Sequence, residues 1–322
     1  MDYTRREFAK ITLTALPTLS AVNLLAAAQP NSVFGGVWIG VITYSFRALP
    51  GSAEDVLKYC VDCGFSGIEL MSDVTERFAG SPAQAGRGAG GGGGADQQEA
   101  RRKRAEDLKN WRLSVSMDKY RALRKMYEDA GVKIYAFKLP PTMEMSDAEY
   151  EYIWNVGETL GADHITMELP TDDAHLKRVA DYAAKRKLRI AFHTHGQDGA
   201  SQFDKVLAAS PYTALNLDVG HFYGVTGESP VPVIQKYHDR IASLHLKDRK
   251  GPEPVAADGQ RRGGAMMPWG QGETPLTDIL QLMKKNKYKF PASVEFEYPT
   301  PEGSDVLTEV KKCLEYCKRA LA

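Results

Sequence analysis

The stretch Ala214-Leu215-Asn216-Leu217-Asp218-Val219-Gly220-His221-Phe222 is a short apolar run that ends in residues able to do chemistry. The same pattern recurs in Tyr135–Pro140, His164–Pro170, Arg189–Gly196, Ile241–Asp248 and Ala292–Pro299. Glu168, His193, His195, Asp218, His221, His245 and Glu295 all stand at such run ends. Carboxylates and imidazoles beside apolar strands are costly unless something pairs with them. A divalent cation would serve many of them at once.

Working outward, apolar runs lie near Val37–Tyr44, Gly67–Leu70, Val132–Leu139, His164–Leu169, Arg189–His193, Ala214–Val219, Ile241–Leu246 and Ala292–Phe296. Segments of helical periodicity lie between them: Ala53–Cys63, Met117–Ala130, Asp147–Leu160, Asp173–Lys187, Gln202–Ala209, Pro230–Arg240, Pro275–Lys285 and Ser304–Leu321. Strand–helix alternation of this kind predicts a parallel sheet, and eight units closing on themselves make an α/β (β/α)8 TIM barrel. The expected barrel domain is residues 31–322. In such a barrel the carboxyl ends of the strands carry the chemistry, and the run-end residues lie there.

One insertion, Phe78 to Lys109 with its Gly-rich part at about 79–100, breaks the rhythm. Its tract Gly86 to Gly94 is too costly in ordering entropy to build a core. It is read as a surface loop, with a substrate lid as the alternative. No Gly-Lys-Ser/Thr follows, so it is not a phosphate loop. A second Gly- and Pro-rich loop, Arg249 to Gly272, follows the seventh run.

Lys+Arg and Asp+Glu each total 41. Zero net charge is a poor footprint for a nucleic-acid partner and suits a small, weakly charged substrate. Thr4-Arg5-Arg6-Glu7-Phe8-Ala9-Lys10, the moderately apolar Ile11–Leu25 and then Ala26-Ala27-Ala28 resemble a twin-arginine signal peptide over residues 1–30. That predicts export to a periplasmic or extracytoplasmic location. Pro17 and the short apolar length argue against a spanning helix, so stable membrane insertion is not expected. The sequence does not give the oligomeric state, and a homo-oligomer stays open. Cys60 and Cys63 lie on the first expected helix, Cys313 and Cys317 on the last. They read first as small core residues. Because those helices are neighbours in a barrel, a disulfide closing it is the second reading.

Residue alternation along a strand lets His193 and His195 face one way, as it does Glu295 and Glu297. Asp218 and His221 are three apart, with Gly220 allowing a turn. A mixed Asp, Glu and His set suits Mn, Zn, Co or Fe better than Ca, and no cysteine is near to make a structural zinc centre. Each residue also has a plain structural reading. Glu168 would be a rim residue, Asp218 a helix N-cap, and Glu297 a support for Lys or Arg.

With Leu217–Phe222, Leu244–Asp248 and Val294–Glu297 in view, the chain resembles the sugar isomerase/epimerase superfamily of xylose-isomerase-like barrels over about Val37 to Leu321. The resemblance implies Asp218, His245 and Glu295 as ligands of one divalent metal ion, with His221 contacting substrate. The fifth-strand Glu of ketose epimerases is replaced here by Phe192-His193-Thr194-His195-Gly196. Either a histidine of this stretch, His193 or His195, or Glu168 on the fourth strand then completes the shell. The abasic-site nucleases of the superfamily carry an Asp-x-His that Gly264-Ala265-Met266-Met267 lacks.

The implied chemistry is removal of a proton beside a carbonyl, giving an enediolate stabilised by the metal. Glu168 and Glu295 are the candidate acid/base pair. His193, His195 and His221 hold hydroxyls or share protons, Lys138 and Lys247 polarise oxygens, and Trp269 and Tyr44 stack on a sugar face. The first expectation is an isomerase or epimerase of an unphosphorylated sugar. A 3-keto-glycoside lyase or hydrolase is the alternative, and a non-catalytic sugar-binding barrel the third.

Overall fold

The computed structural model describes residues 29–82, 95–195, 201–255 and 262–322. Eight parallel strands close into a barrel: β1 Val37–Ile42, β2 Gly67–Met71, β3 Lys133–Lys138, β4 His164–Glu168, β5 Arg189–His193, β6 Thr213–Asp218, β7 Ile241–Leu246 and β8 Ala292–Val294. Closure comes where β8 pairs with β1, with Ala292 opposite Ile39, while β1 also pairs with β2, Val41 opposite Ile68. Residues 1–28 of the expected leader and the glycine tract 86–94 lie outside the described residues.

The helices begin and end where local chemistry dictates. In α1, Ala53–Cys63, Ser52 and Asp55 form a reciprocal capping box, and Gly64 ends the helix in the left-handed region at φ 91°. In α5, Asp147–Leu160, Ser146 and Glu149 do the same, and Gly161 stops it. The remaining outer helices are α4 Met117–Asp129, α6 Asp173–Arg186, α7 Ser201–Ala208, α9 Val231–Tyr237, α10 Leu276–Asn286 and α11 Val306–Leu321.

Three helices were not expected. α2, Ser72–Phe78, and α8, Val219–Thr226, each start directly at a strand end. The third corrects the reading of the insertion as loop: Ala95–Ser114 is a helix, α3. Its Arg112 reaches into the protein, donating from Nε and Nη2 to Glu76 at 2.7 and 3.1 Å. Tyr152 also donates to Glu76, at 3.0 Å. A polar helix with no apolar stripe is thus tied down near its end by the buried Arg112–Glu76 ion pair and by Trp111, which packs edge-on against Tyr152.

The four cysteines are buried free thiols, not disulfides. Burial pushes Cys63 and Cys313 up to about 12, so these are unreactive packing residues of α1 and α11.

Candidate active site at the carboxyl ends of the strands

Below the strand ends the barrel is lined by a polar network rather than by aliphatic layers alone. Glu69, in the middle of β2, is fully buried. It accepts from Thr166 at 2.7 Å, from the Asn216 amide at 3.0 Å and from His245 Nε2 at 2.7 Å. Asn216 Nδ2 also donates to Ser243 at 2.8 Å. With its nitrogen committed to donation, its oxygen accepts from His193 Nδ1 at 3.0 Å.

This network turns the remaining nitrogen of each histidine toward a common region. His193 Nε2 lies 3.9 Å from Asp218 Oδ2. His245 Nδ1 lies 2.6 Å from Glu295 Oε2. Donor atoms of His193, Asp218, His245 and Glu295 fall within 4.8 Å of one another, and all four residues are buried. Histidines held through their other nitrogen by a carboxylate or amide are the usual arrangement around a metal. The donor set therefore fits a divalent cation of the N/O-preferring kind. His193, His195 and His221 form a second group of this type, nearer the mouth.

Asp218 does two things. Its Oδ1 accepts from the His221 backbone amide at 2.7 Å and so caps α8. Its Oδ2 faces the site, 2.9 Å from Lys247 Nζ. That ammonium also lies 3.0 Å from Glu295 and hydrogen-bonds Glu297. Glu297 is the Lys-supporting residue that its spacing suggested.

Electrostatics follow from this packing. Burial alone would raise Glu69, but His245 outweighs it and holds the carboxyl at about 2. Burial would lower His245, yet Glu69 and Glu295 raise it to about 10, so without a metal it is an imidazolium donating from both nitrogens. Against the same burial penalty, Lys247 and His245 hold Glu295 well below its ordinary range. Burial keeps His193 at about 3 and His221 at about 4, both neutral.

Glu168 and His195 do not enter the buried quartet. Glu168 lies between Lys138 Nζ, 3.0 Å away, and His195 Nδ1, 2.9 Å away, at the half-exposed rim. Burial is again outweighed, by His195 and Lys138, and its carboxyl is lowered. His221 accepts from Arg249 Nη1 at 2.6 Å. A cavity of about 190 Å³ is lined by Tyr44, Lys138, Glu168, His193, His195, His221 and Glu295, among others.

Trp269 is not among these residues. It packs edge-on against Tyr316 at 5.8 Å and lines a different cavity beside α11. The cause is Asp248, which accepts from the amides of Gly270 and Gly272 at 2.8 and 2.9 Å and draws the loop away from the mouth. Sequence reasoning missed Glu69, Asn216 as an orienting amide, and Arg249. Glu69 had a signal, a carboxylate inside an apolar run, but it sits mid-strand rather than at the end.

The class defined so far is a (β/α)8 barrel with a buried His/Asp/Glu cluster able to hold a cation at the carboxyl ends of its strands. The fold is that of the xylose isomerase-like TIM barrels, and residues 174–318 match the family model described as "Xylose isomerase-like TIM barrel". The inosose dehydratase of Clostridium botulinum (strain Eklund 17B / Type B) is 29% identical over 173 residues, 49% of this chain and 57% of that protein. The match thus spans little more than half of that curated relative. Among solved structures, the probable 3-DHS dehydratase AsbF from Bacillus anthracis superposes with TM-score 0.59 at 18% identity, covering 87% of this chain and 98% of the other. An L-ribulose 3-epimerase gives 0.56 at 14%, covering 88% and 94%. At these identities the structures speak for the fold alone.

Proposed function

We propose that the protein is a metal-assisted carbohydrate lyase. It removes the proton beside the carbonyl of a keto-sugar or keto-polyol and expels the oxygen substituent one carbon further on. The observation behind this choice is the unequal standing of the two carboxylates at the mouth. Epimerisation at one carbon calls for two bases on opposite faces. Here Glu168 is bound between Lys138 and His195 at the half-exposed rim, outside the buried quartet that contains Glu295, and the fifth-strand position is His193 rather than a carboxylate. One face thus offers Glu295 as the base, and the other a rim built from Lys138, Glu168 and His195. That asymmetry suits elimination, and the inosose dehydratase name of the curated relative points the same way.

His193, Asp218, His245 and Glu295 would hold the ion, with Mn, Zn, Co or Fe the candidates. When bound, it supplies Lewis-acid polarisation of the carbonyl and its neighbouring hydroxyl. Glu295 takes the proton, Lys138 steadies the oxygen that gains charge, and His195 delivers a proton to the leaving oxygen. His221, fixed by Arg249, orients hydroxyls, and Tyr44 covers one face of the ring.

The test is solvent-deuterium exchange together with ultraviolet detection of enone, on the metal-loaded protein with ketocyclitols and 3-keto-glucosides. Glu295→Gln should slow both by about 10²–10⁴-fold. Exchange without enone would return the isomerase/epimerase reading. Absence of both with every substrate would leave a sugar-binding barrel. Export through the twin-arginine route belongs to the same proposal, resting on Arg5-Arg6 and the apolar stretch after them. Cell fractionation of the native protein and of an Arg5→Lys, Arg6→Lys variant tests it; equal cytoplasmic retention of both would refute export. Among the described residues, no helix is long and apolar enough to cross a membrane.

A further inference from the structure

The amino ends of the strands, opposite the catalytic mouth, carry a cavity of about 360 Å³. Arg189 opens β5, Ile241 opens β7, and Lys287 to Pro291 lead from α10 into β8; all of these line it. Its volume falls within the roughly 300–1,000 Å³ usual for a ligand site. Trp38 makes one wall. Its ring packs so closely over Gly67 that a Cβ there would meet it at 2.4 Å, and its Nε1 donates to Ser66 at 3.2 Å. Tyr288 makes another, stacked on His238 at 5.1 Å and on Phe290 at 5.3 Å.

The charges in this lining do not balance. The side chains of Arg189, Lys287 and Lys289 have no hydrogen-bond or ion-pair partner among the described residues. The carboxylate in the lining, Asp163, is occupied by Lys133, whose Nζ lies 3.1 and 2.9 Å from its two oxygens. Arg189 is half-buried. Burial pulls its guanidinium below its ordinary value, and the charge of Asp163 offsets this only in part. A guanidinium carries donors alone and does not give up its charge within a protein. Burying it without an acceptor is costly, and an oxyanion held by both arms of the fork removes that cost. Lys287 adds an independent sign. It ends α10 at φ 55°, in the left-handed region where glycine is the usual residue, and is one of two non-glycine residues with positive φ among the described residues. The turn would be easier with glycine, yet a cation stands there at the edge of the cavity.

We infer that this cavity is a second ligand site, which binds a phosphoryl dianion: free phosphate or the phosphate group of a monoester. Arg189 takes two of the phosphate oxygens with its fork of donors, and Lys287 and Lys289 add point charges. Trp38 and Tyr288 offer flat apolar surface to the carbon skeleton of an ester. A carboxylate matches the same fork, but the unpaired lysines beside it favour the ligand with the greater charge. The site stands apart from the lyase reading, since none of its lining residues belongs to the buried quartet. A bound dianion joins the entry segments of β5 and β8 and so stabilises the folded barrel by mass action.

Calorimetric titration with sodium phosphate and with phenyl phosphate, at an ionic strength held constant with sodium chloride, tests this on the metal-loaded protein and on the protein in chelator. A site of equal affinity in both forms is expected. Arg189→Gln should weaken it by about tenfold or more, as should Lys287→Gln combined with Lys289→Gln. Lys138→Gln, at the catalytic mouth, should leave it unchanged. Far-ultraviolet circular dichroism reports whether each variant folds. Lys287 and Lys289 are exposed, so their double variant keeps the test decisive if Arg189→Gln does not fold. Tighter binding of phenyl phosphate than of phosphate assigns an ester; equal or weaker binding assigns free phosphate. The site is overturned if neither anion binds, if binding requires the metal or is lost with Lys138→Gln, or if a folded Arg189 or double-lysine variant binds as well as the wild type.

Discussion

Glu69 and His245, on β2 and β7 and both fully buried, are joined by a 2.7 Å hydrogen bond from His245 Nε2 to Glu69 Oε2. The bond fixes the imidazole plane and leaves Nδ1 facing Glu295. Through Asn216 the same carboxylate governs the orientation of His193. One residue with no place in the buried quartet therefore sets two of its four members.

Glu69→Gln should weaken metal binding by about 10–100-fold, the range for a lost carboxylate behind a ligand histidine. The shape of the side chain is kept, so the fold should persist. Calorimetric titration of the metal-free protein with Mn²⁺ or Zn²⁺, beside far-ultraviolet circular dichroism, separates the two effects. Wild-type affinity in a folded Glu69→Gln protein would remove Glu69 from the metal's surroundings.

The metal-free protein should lose stability on acidification below about pH 6.5. Burial, the largest cause in each case, lowers His164 to about 4, His193 to about 3 and His221 to about 4. Below their ordinary value of 6.5 the unfolded chain takes up protons that the folded one refuses. Stability therefore falls as pH drops from 6.5 toward those values, by up to about 1.4 kcal/mol per pH unit for each imidazole. Glu69, with its folded value near 2, adds to the loss below its ordinary 4.5. His245 acts at the other end: raised to about 10, its contribution is intact below 6.5 and is lost as pH rises toward 10. Melting temperatures measured from pH 4 to 9 should peak near neutrality. His164→Gln, which removes an imidazole bonded to Ser243 away from the quartet, should flatten the acid limb. A flat profile from 6.5 to 4.5 would contradict the buried neutral state.

The barrel was legible in the sequence because each strand is an apolar run and several of the helices between them carry their own start and stop chemistry. Ser52 with Asp55 and Ser146 with Glu149 are visible as spacing before they are visible as hydrogen bonds. The convergence of Asp218, His245 and Glu295 was legible for a related reason, since strand ends share one face of a closed barrel. What was not legible depends on distances between strands far apart in sequence. Glu69 reads as an oddity until β2 and β7 face each other across the barrel. His193 and His195 look equivalent by alternation, but β5 ends at His193, so only His193 is held inside by Asn216. Trp269 reads as a sugar platform until Asp248 is seen gathering the Gly270 and Gly272 amides. The helix Ala95–Ser114 hides behind a glycine tract and shows no apolar stripe.

Lys247 gives the sharpest separation between a protein built for a cation and one that merely buries charges. Its ammonium lies 2.9 Å from Asp218 and 3.0 Å from Glu295, and it hydrogen-bonds Glu297. Those carboxylates hold the ammonium well above its ordinary value despite the burial that lowers it. Lys247→Met keeps most of the apolar stem and removes the charge, leaving the carboxylates to face one another. Without metal the variant should be less stable by about 3–5 kcal/mol, the usual consequence of breaking a buried ion pair. A divalent ion in the quartet restores positive charge beside Asp218 and Glu295, so metal should raise the melting temperature of the variant more than that of the wild type. Thermal melts of both proteins in chelator and in saturating Mn²⁺ or Zn²⁺ measure the difference directly. Equal metal-induced shifts would show that the ammonium and the ion do not share these carboxylates. A Lys247→Met protein as stable as wild type in chelator would show that the carboxylates find other partners.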